Sequence, residues 1–154
     1  MYKLLLFVTL LSINTVFADE LVFKQAGFSI DALDRAPTAE GAQPLQMFLP
    51  PVDGFAANVN VQIQPYAESL QDYKKLSDAQ FEEFGLKVIS SVMKDDVLFF
   101  EYSGAMGGRQ LYFYAKAVKK DGYVYLATAT DLQAQWSKSS KQLKEVVNSL
   151  ALNQ

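Results

Sequence analysis

The sequence predicts an α+β domain in which helices flank both faces of an antiparallel β-sheet. Three observations lead to this class. Four strand patterns in the second half of the chain are joined by short turns, which force antiparallel pairing of neighbours. Apolar residues recur at helical spacing in two segments, one before these strands and one after them. Strands 97–103 and 110–118 are apolar on both faces, as expected for a sheet covered on both sides.

The N-terminal segment, residues 1–18, is predicted to be a cleaved secretory signal peptide. A positively charged start precedes an apolar run from Leu4 to Ile13, and the small residue Ala18 suits the cleavage position. A helix that spans a membrane needs about 20 apolar residues, and this run is only half as long. We therefore expect an exported, periplasmic protein whose mature chain, residues 19–154, forms a single domain.

The mature chain is predicted to open with extended segments. Residues 21–23 and 28–31, interrupted at Gly27, form a short hairpin. Residues 32–44 contain two prolines and a glycine, and are expected to form a loop. An extended segment at 45–51 follows and ends in two prolines.

The next strand, residues 58–65, has the sequence NVNVQIQP and alternates strictly between apolar and polar side chains. Its apolar row fixes the register, because a slip of one residue would bury the amides and expose the aliphatic side chains. The apolar row is Val59, Val61 and Ile63, and the amide row is Asn58, Asn60, Gln62 and Gln64. The uncharged amide row is either a binding surface or the hydrated side of the sheet.

Residues 69–85 predict the first helix, with Ser69 as N-cap and Gly85 as its stop. Its apolar stripe consists of Leu70, Tyr73, Leu76, Phe81 and Phe84.

Four strands are then predicted at 86–93, 97–104, 109–118 and 123–130, and Asp121-Gly122 fits a primed hairpin turn. A second amphipathic helix is predicted over 132–152, capped by Thr130 or Asp131. Its stripe consists of Leu132, Trp136, Leu143, Val147 and Leu150.

The composition argues against several kinds of chemistry. The chain contains no cysteine and no histidine, which removes nucleophiles activated by histidine, disulfides and zinc sites built from these residues. The acidic pairs Glu82-Glu83 and Asp95-Asp96 fall on a polar helix face and in a turn, where charge is hydrated. The glycine-rich stretch 105–110 leads into a strand, whereas a phosphate-binding loop leads into a helix. We expect no enzyme activity, no metal site and no cofactor.

The charge pattern argues against nucleic acid as a partner. The chain has 14 basic and 17 acidic residues, and the basic residues are scattered. Neither a nucleic-acid footprint nor a polybasic membrane patch is present. We expect no stable insertion into a membrane after the signal peptide is removed.

Protein binding is the function that the side chains favour, because tyrosine is enriched at interfaces and Arg109 can hold a carboxylate. With helices that cover the sheet incompletely, amides and tyrosines together form a platform. Alternatively, the tyrosines form an aromatic ladder beneath a helix and only stabilise the sheet. The candidate partner-binding residues are Asn58, Asn60, Gln62, Arg109, Tyr112, Tyr114, Tyr123 and Tyr125.

The succession of segments resembles the PsbP and DcrB-like superfamily, whose fold is shared by the extrinsic P subunit of photosystem II and a Ran-binding nuclear transport factor. The resemblance is carried in order by GFSI, NVNVQIQP, SLQDYKKLSDAQFEEFG, FEYSG, RQLYFYAKAV, DGYVYLATAT and the closing helix. The chain departs from the family pattern at LDRAP, where P.GW is expected.

The resemblance implies a sheet sandwiched between helices and a non-catalytic accessory role. It provides no catalytic residues to carry over. The leading interpretation is an exported interaction protein that binds a protein or peptide partner. The alternatives are a carrier of a small hydrophobic ligand or lipid, and an immunity or chaperone protein for a secreted effector.

Overall fold

A computed structural model describes residues 20–23, 28–31 and 45–152. The predicted signal peptide at 1–18 and the predicted loop at 32–44 lie outside the described residues. The chain divides into two compact units, residues 1–36 and residues 37–154.

In the first unit, the described residues form one antiparallel hairpin. Strand β1 spans Glu20–Phe23 and strand β2 spans Phe28–Asp31, with Phe23 paired to Phe28. The predicted opening hairpin is therefore confirmed.

The second unit contains a six-stranded antiparallel sheet and two helices. The strands are β3 (Leu45–Phe48), β4 (Asn58–Pro65), β5 (Lys87–Lys94), β6 (Val97–Met106), β7 (Arg109–Lys120) and β8 (Tyr123–Leu132). Their order across the sheet is β3-β4-β8-β7-β6-β5. Helix α1 spans Leu70–Glu83 and helix α2 spans Trp136–Asn148.

The two helices cover opposite faces of this sheet, as predicted. On β8, Val124 belongs to the cluster that packs against Tyr73 of α1. Ala127, an odd number of positions further along, belongs to the cluster that packs against Trp136 of α2. Because side chains alternate across a strand, the two clusters form two cores on the two sides of one sheet.

Hairpin turns with positive φ connect the strands of the meander. Asp95 and Asp96 have φ of 51° and 57°, and Asp121 and Gly122 have φ of 50° and 81°. Such values at both central residues define the primed turn geometry, whose twist matches that of the strands. Turn residues in the sequence therefore specify these local connections.

Helix α1 begins as predicted but packs differently. The Ser69 hydroxyl oxygen accepts a hydrogen bond from the Asp72 backbone N–H at 3.1 Å, which is the expected cap. Leu76 and Phe84 of the predicted apolar stripe are 45% and 71% exposed, whereas Ser77 is buried. The helix therefore packs through Tyr73 and Ser77, which lie one turn apart. The prediction that Leu76 and Phe84 belong to the packed face is wrong.

Helix α2 begins later than predicted. Thr130, Asp131 and Leu132 belong to β8, because that strand remains paired with β7 as far as the Leu111–Leu132 pair. The predicted cap at Thr130 or Asp131 is therefore wrong. Gln135 is the N-cap and makes no capping hydrogen bond with its side chain. Within the described ranges, neither helix is long and apolar enough to cross a membrane.

Candidate binding site

A groove, the α2 groove, runs between helix α2 and the segment 45–57. It consists of two cavities of about 230 Å³ and about 180 Å³, whose walls have Leu49, Ala57 and Gln142 in common. Helix α2 forms one wall, and β3 with the turn that follows it forms the other. The groove is thus assembled from two parts of the chain that are far apart in sequence.

The α2 groove has an apolar floor and exposed apolar rims. Ala57 and Leu143 are buried at its floor. Met47, Val52 and Val146 line its walls and remain 40%, 51% and 36% exposed. Because adjacent exposed apolar side chains with a polar surround are typical of interaction sites, this arrangement is suited to binding a partner.

A short turn forms the outer wall of the groove. Val52 and Phe55 exchange two backbone hydrogen bonds of 2.9 and 3.0 Å around Asp53 and Gly54, both of which have positive φ. Arg109 Nη1 donates to the Asp53 carbonyl oxygen at 3.2 Å, and its guanidinium lies 5.9 Å from the centre of the Phe55 ring. These contacts hold the turn against β7.

Helix α2 holds the same turn from the other side. Gln135 Nε2 donates a hydrogen bond of 2.7 Å to the Asp53 carboxylate. Gln135 Oε1 in turn accepts from the Lys138 ammonium at 3.0 Å. The wall of the groove is therefore fixed by polar contacts at its ends, while its apolar side chains stay accessible.

Asp131 is the acidic group of the α2 groove. It lines the larger cavity, is only 4% exposed, and accepts hydrogen bonds from the Leu132 backbone N–H at 2.7 Å and the Ser139 hydroxyl at 2.5 Å. Among the described residues, it forms no ion pair. A buried carboxylate is stabilised by further donors or by a cation, so this position favours a basic or hydrogen-bond-donating ligand group.

Three of the predicted binding residues belong to the groove or support it. Asn58 lines the smaller cavity, and Arg109 holds the outer turn. Tyr112 lies behind α2, where its ring stacks on Trp136 with centroids 4.6 Å apart. Its hydroxyl donates to Glu101 at 2.9 Å, and burial together with this carboxylate raises the pKa of Tyr112 to about 12. Tyr112 therefore acts as a support for α2.

The other predicted tyrosines lie elsewhere on the α2 face. The Tyr114 hydroxyl donates to Asn148 at 3.0 Å, and the Lys144 ammonium lies 4.9 Å from the centre of the Tyr114 ring. Tyr123 and Tyr125 occupy the far end of β8, opposite Pro65 and Ile63 of β4. The tyrosines of β7 and β8 are therefore not directly paired across the strands.

Asn60 and Gln62 of the predicted amide row lie on the α1 face, opposite the four tyrosines. Asn60 pairs with Thr128, and Gln62 pairs with Leu126, on the side of the sheet that α1 covers. Gln62 Oε1 accepts from Gln64 Nε2 at 3.1 Å. The amides and the tyrosines thus do not form one platform, because strand alternation places them on opposite faces.

Asp131, Met47 and Val146 are groove residues that the sequence analysis missed. Asp131 follows Ala127 and Ala129 at alternate positions, so a carboxylate continues a row of buried small side chains. That pattern was a usable signal. No comparable pattern marked Met47 or Val146, because the two are brought together only when β3 and α2 pack on β4.

The sheet order and the two opposed helices define an α+β fold in the part of the chain that the structure describes. A crystal structure of PA94 from Pseudomonas aeruginosa, a protein of unknown function, is similar with a TM-score of 0.66. The two chains are 14% identical, and the match covers 88% of this chain and 97% of PA94. The predicted α+β class is confirmed. At 14% identity, the similarity between this chain and PA94 shows a common fold and nothing more.

Two further structures show weaker similarity. The solution structure of PsbP from the cyanobacterium Synechocystis is 12% identical, covers 63% of this chain and 68% of its own, and has a TM-score of 0.49. LpqN, involved in cell envelope biogenesis of Mycobacterium tuberculosis, is 11% identical, covers 75% and 84%, and has a TM-score of 0.42. No protein-family model and no curated protein matches the sequence.

Proposed function

We propose that this chain is an exported, non-catalytic binding protein that holds a peptide segment of a partner protein in the α2 groove. The observation that carries this proposal is the combination of exposed apolar walls with a buried carboxylate. Met47 and Val52 line the walls, and Asp131 lies in the larger cavity. The peptide that fits has an apolar side chain for the walls and a neighbouring lysine or arginine for Asp131.

The rest of the groove supports this choice of partner. Its outer turn is held by Arg109 and Gln135, so the walls need little rearrangement when a peptide binds. Binding to a pre-formed groove avoids part of the entropy cost of ordering a loop. The excess of acidic over basic residues in the chain favours a basic peptide at longer range.

Selection of peptides from a phage-displayed library of random short sequences tests the proposal. We expect enrichment of peptides that pair an apolar residue with a nearby lysine or arginine. Val52→Asp should weaken binding of a selected peptide at least tenfold, because it places a charge in the apolar wall. Asp131→Asn should remove the preference for the basic residue.

Val92→Asp is the matched control. Val92 lies on β5 at the other edge of the sheet and has the same exposed fraction as Val52, 51%. The variant should retain the affinity of the wild-type protein. Equal loss of binding in both variants, or peptides that bind Val52→Asp unchanged, would contradict a site in the α2 groove.

Export with cleavage after Ala18 is part of the same proposal. The intact mass of the protein recovered from a periplasmic fraction checks it, since the expected chain begins at Asp19. Recovery of the uncleaved chain from the cytoplasm would contradict it.

A further inference from the structure

A further cavity lies on the opposite side of the sheet from the α2 groove. This α1 cavity, of about 330 Å³, lies between helix α1 and the strands β4, β6, β7 and β8. Tyr73 and Ser77 face it from the helix, and Tyr102, Ala115 and Leu126 face it from the sheet. Its volume falls at the lower end of the range found for small-molecule sites.

Aromatic rings form much of its wall. Tyr102 is the middle of a three-ring stack, with its centroid 4.3 Å from Phe81 and 4.7 Å from Phe113. Phe81 also meets Phe100 edge to face at 5.2 Å. Rings that already contact one another hold their positions, so they present fixed faces and edges to a ligand.

Small side chains make room between these rings. Ser77, on the packing face of α1, is buried, and its hydroxyl donates back to the Tyr73 carbonyl oxygen at 2.8 Å. Ala115 is buried on the strand beneath. Larger residues at these two positions would bring the helix and the sheet into direct contact and close the space. The cavity therefore follows from the choice of residues at the centre of the interface.

The polar groups of the cavity differ in what they already bind. The Tyr73 hydroxyl donates to Gln64 Oε1 at 2.7 Å, and Gln64 Nε2 donates to Gln62. The Tyr102 hydroxyl donates to no acceptor among the described residues. Tyr102 therefore has a donor to offer to a ligand in this cavity.

The cavity favours an uncharged ligand. None of its described lining residues carries a charge. Burial raises the pKa of Tyr73 to about 12 and also raises the pKa of Tyr102, so both hydroxyls remain protonated donors at physiological pH. Transfer of an unpaired charge into such surroundings is costly, whereas a neutral acceptor loses little.

We propose that the α1 cavity binds a small, neutral aromatic molecule that carries a carbonyl acceptor. The ring packs among Phe81, Phe100 and Leu126, and the carbonyl oxygen accepts a hydrogen bond from Tyr102. This site does not depend on the α2 groove, which lies on the other face of the sheet.

Acetophenone is the probe, because it combines one ring with one carbonyl. Titration of the mature chain followed by amide ¹H–¹⁵N spectra should show saturable shifts at residues of α1 and β6 that line the cavity. Benzoate, which has a similar size and a negative charge, should produce no saturable shift there. Binding of benzoate as tight as that of acetophenone would overturn the proposal.

Two variants test separately the hydrogen bond from Tyr102 and the open volume of the cavity. Tyr102→Phe should weaken acetophenone binding by about tenfold, the effect of one hydrogen bond, and leave binding of ethylbenzene, which has no acceptor, unchanged. Ser77→Leu fills the cavity and should abolish binding of both probes. Tyr125→Phe, on the opposite face, is the matched control and should bind acetophenone like the wild-type protein.

Unchanged acetophenone binding in Tyr102→Phe, or in a folded Ser77→Leu protein, would overturn the proposal. A well-dispersed amide spectrum establishes that each variant is folded. If Ser77→Leu does not fold, Tyr102→Phe decides alone, because it keeps the ring stack intact.

Discussion

Single residues in this protein differ sharply in what the fold does to their chemistry. Tyr73 and Asp131 are both buried. Tyr73 has its hydroxyl bonded to Gln64, in surroundings where desolvation opposes ionisation. Asp131 accepts hydrogen bonds from the Leu132 backbone N–H and the Ser139 hydroxyl, and it lines the α2 groove. The same degree of burial thus gives a structural hydrogen bond in one case and a candidate recognition group in the other.

The raised pKa of Tyr73 predicts a pH-dependent contribution to stability. An unfolded tyrosine loses its proton near pH 10, whereas folded Tyr73 keeps it up to about pH 12. Between these values the folded state binds more protons, so the free energy of unfolding decreases as pH rises. The contribution of Tyr73 is complete below pH 10 and declines towards pH 12.

Tyr73→Phe tests this linkage. At pH 8 the variant should be less stable by about 1 kcal/mol, because it loses the hydrogen bond to Gln64. Since phenylalanine does not ionise, the difference from the wild-type protein should narrow between pH 10 and pH 12. Urea unfolding at a series of pH values measures it. A constant difference across that window would contradict the assignment.

At the scale of elements, the two helices begin in different ways. Helix α1 has a side-chain cap at Ser69, and the Asp72 carboxylate accepts a second hydrogen bond from the same hydroxyl at 2.5 Å. The hydrogen bond from the Ser69 hydroxyl and the ion pair with the Lys75 ammonium, 3.0 Å away, lower the pKa of Asp72. Helix α2 has no such cap and relies on the burial of Trp136, Leu143 and Val147. The capping residue therefore matters more for α1.

Ser69→Ala should destabilise the protein by about 1 kcal/mol, because it removes the acceptor for the Asp72 backbone N–H. Thermal or urea unfolding measures the effect. Ser137→Ala is the same chemical change at an exposed position in the first turn of α2 that is not the N-cap, and it should change stability by less than about 0.5 kcal/mol. Equal destabilisation by both substitutions would show that the cap contributes nothing.

For the second unit of the chain, the sheet is the element that joins the two cores. Leu98 and Val124 are fully buried on the α1 face, and Val147 is fully buried against the α2 face. Both faces share the same strand backbones and the same ladder of hydrogen bonds. We therefore expect the two cores to unfold together.

Leu98→Ala tests this cooperativity. The substitution should cost about 2–5 kcal/mol, as expected when a fully buried leucine is truncated. Trp136, the only tryptophan in the chain, lies on the other face, yet its fluorescence should follow the same lowered midpoint as the far-ultraviolet circular dichroism.

Leu76→Ala is the matched control, because Leu76 is 45% exposed and its truncation should change stability by less than about 1 kcal/mol. An unchanged Trp136 transition in Leu98→Ala would contradict a single cooperative unit.

The local features of the fold were largely predictable from the sequence. The alternation of residues 58–65, the turn at Asp121-Gly122 and the cap at Ser69 each depend on a few adjacent residues, and the structure contains all three. The boundary of α2 was not predictable in this way. Pairing of β8 with β7 extends the strand through residues whose side chains also suit a helix cap.

The candidate sites were predictable only in part. Asn58 lines the α2 groove and Arg109 contacts its outer turn, and their role in binding a partner stays a prediction. The α1 cavity was not predicted, although Tyr73 and Phe81 belong to the predicted stripe of the first helix and Tyr102 lies on an apolar face of a predicted strand. Periodicity indicates that such residues face the interior. It does not indicate whether the side chains of the helix and the sheet contact one another or leave a cavity between them.

The sequence by itself determined the α+β class, the strands of the meander and the two-sided core, because periodicity and turn chemistry act over neighbouring residues. Only the tertiary structure decided that β4 lies between β3 and β8, and that Met47, Asp131 and Val146 share one groove. These contacts join residues far apart in the chain. Their formation depends on how whole elements pack, which no local pattern in a single sequence specifies.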